Sequence, residues 1–129
     1  MKKLKCILLI DDDRTTVYLC DKLLKKMGIA EKVELSSNGE DGLKSLIKCY
    51  QEDCTPEIIL LDLNMPVMNG FEFLEHYNEL KLKHKEGTKI VVFTSSKHEK
   101  DVSRIKELGI TNYINKPLSE EKMLQALAA

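Results

Sequence analysis

The chain reads as one α/β domain, a three-layer α/β/α sandwich built on a five-stranded parallel sheet. Three observations predict it. Strand-like and helix-like segments alternate five times along 129 residues. Two of the strand-like runs, Ile58-Ile59-Leu60-Leu61 and Ile90-Val91-Val92-Phe93, are apolar without interruption, as strands covered on both faces are. The connections are short, and right-handed crossovers between parallel strands then put helices on both faces of the sheet.

The elements follow in order. Lys5 to Ile10 is a first strand, closed at once by Asp11-Asp12-Asp13. A helix fits Arg14 to Met27, because Val17, Cys20, Leu23, Leu24 and Met27 recur at helical spacing and Gly28 supplies a stop. Lys32 to Leu35 makes a short second strand. Asn38 caps a helix with acids in its first turn and Leu43, Leu46, Ile47 and Tyr50 along one face, ending before Pro56. The third strand runs into Asp62 and is stopped by Pro66 and Asn69-Gly70. Asn69 to Glu72 has the capping-box pattern, and Phe71, Leu74, Tyr77 and Leu80 face inward. After the polar segment Lys81 to Gly87, Lys89 to Thr94 is the fourth strand. Ser96 to Glu99 opens a fourth helix with Val102, Ile105 and Leu108 spaced for burial, and Gly109 ends it. Thr111 to Asn115 is the fifth strand, and a last helix runs from Ser119 to Leu127.

Composition narrows the function. Twenty basic and 21 acidic residues are mixed throughout, for a net charge of −1, so no electrostatic feature points to nucleic acid or a membrane surface. The basic amino terminus precedes an apolar run too short for a signal peptide or a span, which predicts a soluble, cytoplasmic protein. Cys6, Cys20, Cys49 and Cys54 show no metal-binding spacing and read as small hydrophobes in a reducing compartment. His76, His84 and His98 share no spacing and read as solvated.

Asp62 alone, one carboxylate behind one strand, is a weak signal. The other strand ends strengthen it: the first strand delivers Asp11, Asp12 and Asp13, the fourth Thr94 and Ser95, the fifth Asn115 and Lys116. In an open parallel sheet these all reach the same edge, where ligands bind. Clustered carboxylates repel unless a cation joins them, and hard oxygen donors suit Mg²⁺. A lysine and a hydroxyl opposite could hold phosphoryl oxygens.

Four stretches, Ile-Leu-Leu-Ile-Asp11-Asp12-Asp13, Leu-Leu-Asp62-Leu-Asn64-Met65-Pro66-Val-Met-Asn-Gly70, Val-Val-Phe-Thr94-Ser95 and Tyr113-Ile-Asn-Lys116-Pro117, give the chain its resemblance to the receiver domain of two-component response regulators. The resemblance covers essentially all of residues 1–129 and implies a flavodoxin-like strand order 2-1-3-4-5, with no output domain in this chain. It implies that Asp62 is the phosphoacceptor and that Asp11, Asp12, Asp62 and the backbone carbonyl of Asn64 hold Mg²⁺, Asp12 directly and Asp11 mainly through water. Asp13 falls outside the motif and suits solvent or a helix start. Lys116 and Thr94 would meet the phosphoryl group, with Thr94 and Tyr113 acting as the switch. The donor would be a sensor histidine kinase or phosphotransfer protein, and the product an aspartyl phosphate. The surface of Val102 to Leu108, Tyr113 and the last helix would meet a downstream protein target or form a homodimer. Such a domain is no enzyme in its own right, assisting only its own phosphorylation and dephosphorylation.

Plainer readings stand beside these: Lys116 as a surface lysine, Thr94 and Tyr113 as ordinary strand residues, Gly70 as a turn-permitting glycine. Another class is also open. Asp11-Asp12-Asp13-Arg14-Thr15 fits the Asp-x-Asp-x-Thr pattern of haloacid dehalogenase-like phosphatases, with Asp11 as nucleophile. Only Glu120 and Glu121 follow Lys116 as candidates for that family's acidic motif, and Asp62-Leu-Asn-Met-Pro would go unexplained. A scaffold with a degenerate site is disfavoured, since every site position is filled.

Overall fold

The computed structural model describes residues 3–65, 67–82, 85–95, 99–110 and 112–128, with the side chains of residues 99 and 100 left aside. Five strands, β1 (Leu4–Ile10), β2 (Ala30–Ser36), β3 (Ile58–Leu61), β4 (Lys89–Thr94) and β5 (Tyr113–Asn115), pair in parallel in the order β2-β1-β3-β4-β5. The helices are α1 (Arg14–Met27), α2 (Gly39–Gln51), α3 (Gly70–Glu79), α4 (Glu99–Glu107) and α5 (Glu120–Ala128). The expected sandwich and strand order are therefore present.

Alternation along β1 sorts the core into two layers. Ile7 and Leu9 pack with Cys20 and Leu24 of α1 and Met123 and Ala126 of α5. Leu8 and Ile10 turn the other way, onto Leu46 of α2 and Phe73, Leu74 and Tyr77 of α3. A third group, Leu63, Phe71, Val92 and Ile105, seats α4. Burying such side chains contributes about 1.5–3 kcal/mol each against full exposure.

The ends of the elements follow local chemistry. Asp13 caps α1, accepting from the Thr15 N–H (3.1 Å) and the Thr16 hydroxyl (2.9 Å), so the third acid has a helix-start role. Gly28, at φ +63°, closes that helix. Asn38 caps α2, and Asn69 with Glu72 forms the capping box of α3. The capping box expected at Ser96 lies outside the described residues, as do Pro66, His84, His98 and Thr111. Strand β2 runs past Lys32 and Leu35 on both sides, and β5 is shorter than Thr111 to Asn115.

At the end of the sheet opposite the aspartates, two loops are tied together. The Tyr50 hydroxyl lies 2.7 Å from Thr88 Oγ1, which donates to the Pro56 carbonyl at 2.7 Å. Lys85 Nζ sits over the Tyr77 ring and donates to the carbonyls of Tyr77 and Leu80 at the end of α3. The four cysteines are free, and three are buried; burial pushes the Cys6 thiol up to about 12 and Cys20 to about 11, so both stay protonated and act as packing groups. No helix among the described residues is long and apolar enough to cross a membrane.

Candidate functional site

Register brings the acids together. Ile10 pairs with Ser36 on one side and Leu61 on the other, so β1 and β3 end level and Asp11 and Asp62 emerge side by side. The ladder runs one step further, with Asp11 N–H to the Ser36 carbonyl (3.0 Å) and Asp62 N–H to the Ile10 carbonyl (2.9 Å). Both carboxylates are thus fixed by strand backbone, which holds groups more rigidly than a loop does. Asp12, next in the chain, points to solvent. One oxygen from each of Asp11, Asp12 and Asp62 lies within 4.8 Å of the others.

Lys116 joins this cluster from the turn that follows β5. Its N–H donates to the Thr94 carbonyl (3.0 Å), its Nζ lies 5.2 Å from the centre of the Phe93 ring, and its peptide bond to Pro117 is cis. The ammonium stands 2.7 Å from Asp11 Oδ2 and 3.6 Å from Asp62 Oδ1. The contact to Asp11 is a charge pair without well-aligned hydrogen-bond geometry, since Asp11 Oδ2 has no hydrogen-bond donor among the described residues. Asp11 Oδ1 accepts the N–H of Asp13 at 2.9 Å. Asp62 Oδ1 accepts a long contact, 3.4 Å, from the Asn64 N–H.

The electrostatics reflect crowding. Asp62 is 5% exposed. Burial and then the negative charge of Asp11 push its carboxyl up to about 6, against the opposing pull of Lys116. Burial acts to lower the Lys116 ammonium, but the close contact with Asp11 and the charges of Asp62 and Asp11 outweigh it, and the net shift is upward. Lys116 is therefore a fixed cation, while Asp62 is a carboxylate held in its charged form at some cost. Three carboxylate oxygens within 4.8 Å of one another, around an acid that resists ionisation, fit a small divalent cation.

Of the residues singled out from the sequence, Asp11, Asp12, Asp62 and Lys116 come together here. Thr94 is buried at the end of β4, beside Asn115 in the ladder. Asn64 follows two residues after Asp62 with its side chain exposed. Tyr113 is 48% exposed on the edge strand, outside the cluster. The plainer reading of Gly70 as a turn-permitting glycine does not hold. Gly70 has no positive φ; a Cβ there would lie 2.5 Å from the Asp62 carbonyl oxygen and 2.8 Å from Leu63 Cα. The residue is needed for close approach beneath Asp62, and the Asn-Gly pair that suggested a turn hid this. Lys122, which reaches the turn carrying Lys116, was also missed.

A buried acidic pair, an exposed third acid and a lysine thus meet at the carboxyl edge of a doubly wound sheet, where ligands bind in such folds. A model of the response regulator receiver domain matches residues 7–128, and the chain belongs to that family, whose members serve two-component signalling. It is 31% identical over 123 residues to Protein PilH of Pseudomonas aeruginosa, covering 95% of this chain and 94% of that protein. It is 38% identical over 121 residues to the nitrate/nitrite response regulator protein NarL of Escherichia coli, covering 94% of this chain; the chain spans about half of that relative, 52%. Among solved structures, a two component response regulator from Cytophaga hutchinsonii superposes with a TM-score of 0.88 at 23% identity, covering 98% of this chain and 96% of the other. That likeness shows the fold alone.

Proposed function

We propose that Asp62 accepts a phosphoryl group from a phosphohistidine on a sensor kinase or phosphotransfer protein, and that the aspartyl phosphate switches a protein-binding surface. The observation that carries this is the convergence of Asp11, Asp12 and Asp62 oxygens within 4.8 Å with the Lys116 ammonium beside them. An Asp62 oxygen attacks phosphorus in line, the bond from phosphorus to the donor's imidazole nitrogen breaks, and the imidazole leaves. Asp11, Asp12, Asp62 and the backbone carbonyl of Asn64 would hold Mg²⁺, which when bound neutralises charge on the phosphoryl oxygens. Lys116, standing between Asp11 and Asp62, meets a phosphoryl oxygen from its own side.

The new charge draws the Thr94 hydroxyl inward, and Tyr113 turns from its exposed position toward the space vacated. That alters the surface of α4, β5 and α5, which takes a downstream target or a second copy. The setting is cytoplasmic, and the domain works by contact with no catalytic turnover of an outside substrate. The phosphatase alternative has no support in the family match, and Asp11 suits it poorly: it is 1% exposed, with one oxygen on the Asp13 N–H and the other against Lys116.

Mass analysis after incubation with acetyl phosphate and Mg²⁺ tests the reading. The expected result is one phosphoryl adduct on the wild type and none on Asp62→Asn. An adduct that survives Asp62→Asn and disappears in Asp11→Asn overturns it.

A further inference from the structure

We propose that Lys122 is a positioning residue for Lys116, holding from α5 the turn that carries the site lysine. The inference rests on the reading of Asp62 and Lys116 given above. Lys122 Nζ donates to the carbonyls of Asn115 (2.9 Å) and Pro117 (3.0 Å), the residues on either side of Lys116. From Lys116 to Ser119 the backbone belongs to no helix or strand, and the Lys116 N–H donates to the Thr94 carbonyl at 3.0 Å. Two charge-assisted bonds from one ammonium therefore fix the peptide before Lys116 and the one that follows Pro117.

Lysine is the wrong residue here for the helix itself. Ser119 caps α5, its Oγ accepting the Lys122 N–H at 3.2 Å and its carbonyl accepting the Met123 N–H at 3.0 Å. Lys122 thus stands third in the helix, where a capping box places Glu or Gln. A cation in the first turn also faces the positive end of the helix dipole, which disfavours it. What the lysine gains is the pair of carbonyls beside Lys116, and with them control over where that ammonium stands. Misplacement of a contacting group by about 1 Å can slow a reaction up to 10²-fold.

Lys122→Gln separates the two roles, because it completes the capping box and removes the ammonium. Phosphorylation by acetyl phosphate with Mg²⁺ is expected to slow on the order of tenfold, while Tm stays at or above the wild-type value. Lys122→Arg is expected to recover most of the rate. In a Lys116→Met background, Lys122→Gln is expected to slow the remaining reaction no further, since a residue acting through Lys116 has nothing left to position. Equal rates for wild type and Lys122→Gln overturn the inference alone. A loss of rate that comes only with a fall in Tm, or an equal loss in the Lys116→Met background, also overturns it. A wild type that takes no phosphoryl group overturns the reading of Asp62 and this inference with it.

Discussion

Val67, two residues before the capping box of α3, sits at φ +70°, a region that a β-branched side chain adopts only under strain. It is 74% exposed, so burial returns little for that strain. Glycine at this position would adopt the same backbone freely, although it adds entropy to the unfolded chain. The strain is the larger effect, and Val67→Gly is expected to stabilise the protein by about 1 kcal/mol in urea unfolding; a loss of stability would show that the valine side chain has a partner. Asp13 shows the opposite balance at the same edge of the sheet. Its N–H holds Asp11 while its carboxylate holds the first turn of α1, and its carboxyl is lowered by the bonds from Thr16 and Thr15.

At the scale of elements, the approach of α3 to the end of β3 depends on one missing methyl group. The Gly70 N–H donates to the Leu63 carbonyl at 3.0 Å, and an added Cβ would meet backbone atoms of Asp62 and Leu63. Backbone cannot rotate aside as a flexible side chain can. Gly70→Ala is expected to cost about 1–3 kcal/mol and to slow Asp62 phosphorylation, measured by chemical unfolding beside acetyl phosphate kinetics. A variant with wild-type values in both would remove Gly70 from the support of the site. Helix α1 and strand β4 were legible to the residue, because a cap, a glycine stop and an unbroken apolar run each mark a boundary locally. Strand β2 was not, since an edge strand carries Glu31, Lys32 and Glu34, whose side chains need no sheet face. Phe73 was missed as core because α3 buries a second stripe against α2, which one-face periodicity does not anticipate. The site acids and Lys116 were readable from strand ends. The ion pair to Asp11 and the reach of Lys122 were not, because both depend on register between distant segments.

Across the whole molecule, the site and the fold pull against each other. The sheet aligns Asp11 and Asp62 by backbone register, and the burial of Asp62, with the Asp11 charge beside it, lowers the stability of the metal-free protein. Because the folded carboxyl of Asp62 titrates near 6 in place of 3.8, its favourable contribution is complete below about pH 3.8 and is lost as pH rises through 6. Asp62→Asn is therefore expected to raise stability at pH 7 by on the order of 2–3 kcal/mol without metal, and the gain should shrink toward pH 4. Mg²⁺ acts on the same group from the other direction. Binding the folded cluster stabilises the wild type by mass action, more at pH 7, where Asp62 is ionised, than at pH 5, where the ion must displace a proton. Thermal unfolding of wild type and Asp62→Asn at both pH values, with and without Mg²⁺, reads these effects together. The expected pattern is a larger Mg²⁺ increment in the wild type at pH 7 than at pH 5, and a smaller one in Asp62→Asn at either. Equal increments in the two proteins would mean that the ion sits away from Asp62, and would separate metal binding from the carboxylate on which the phosphoryl chemistry depends.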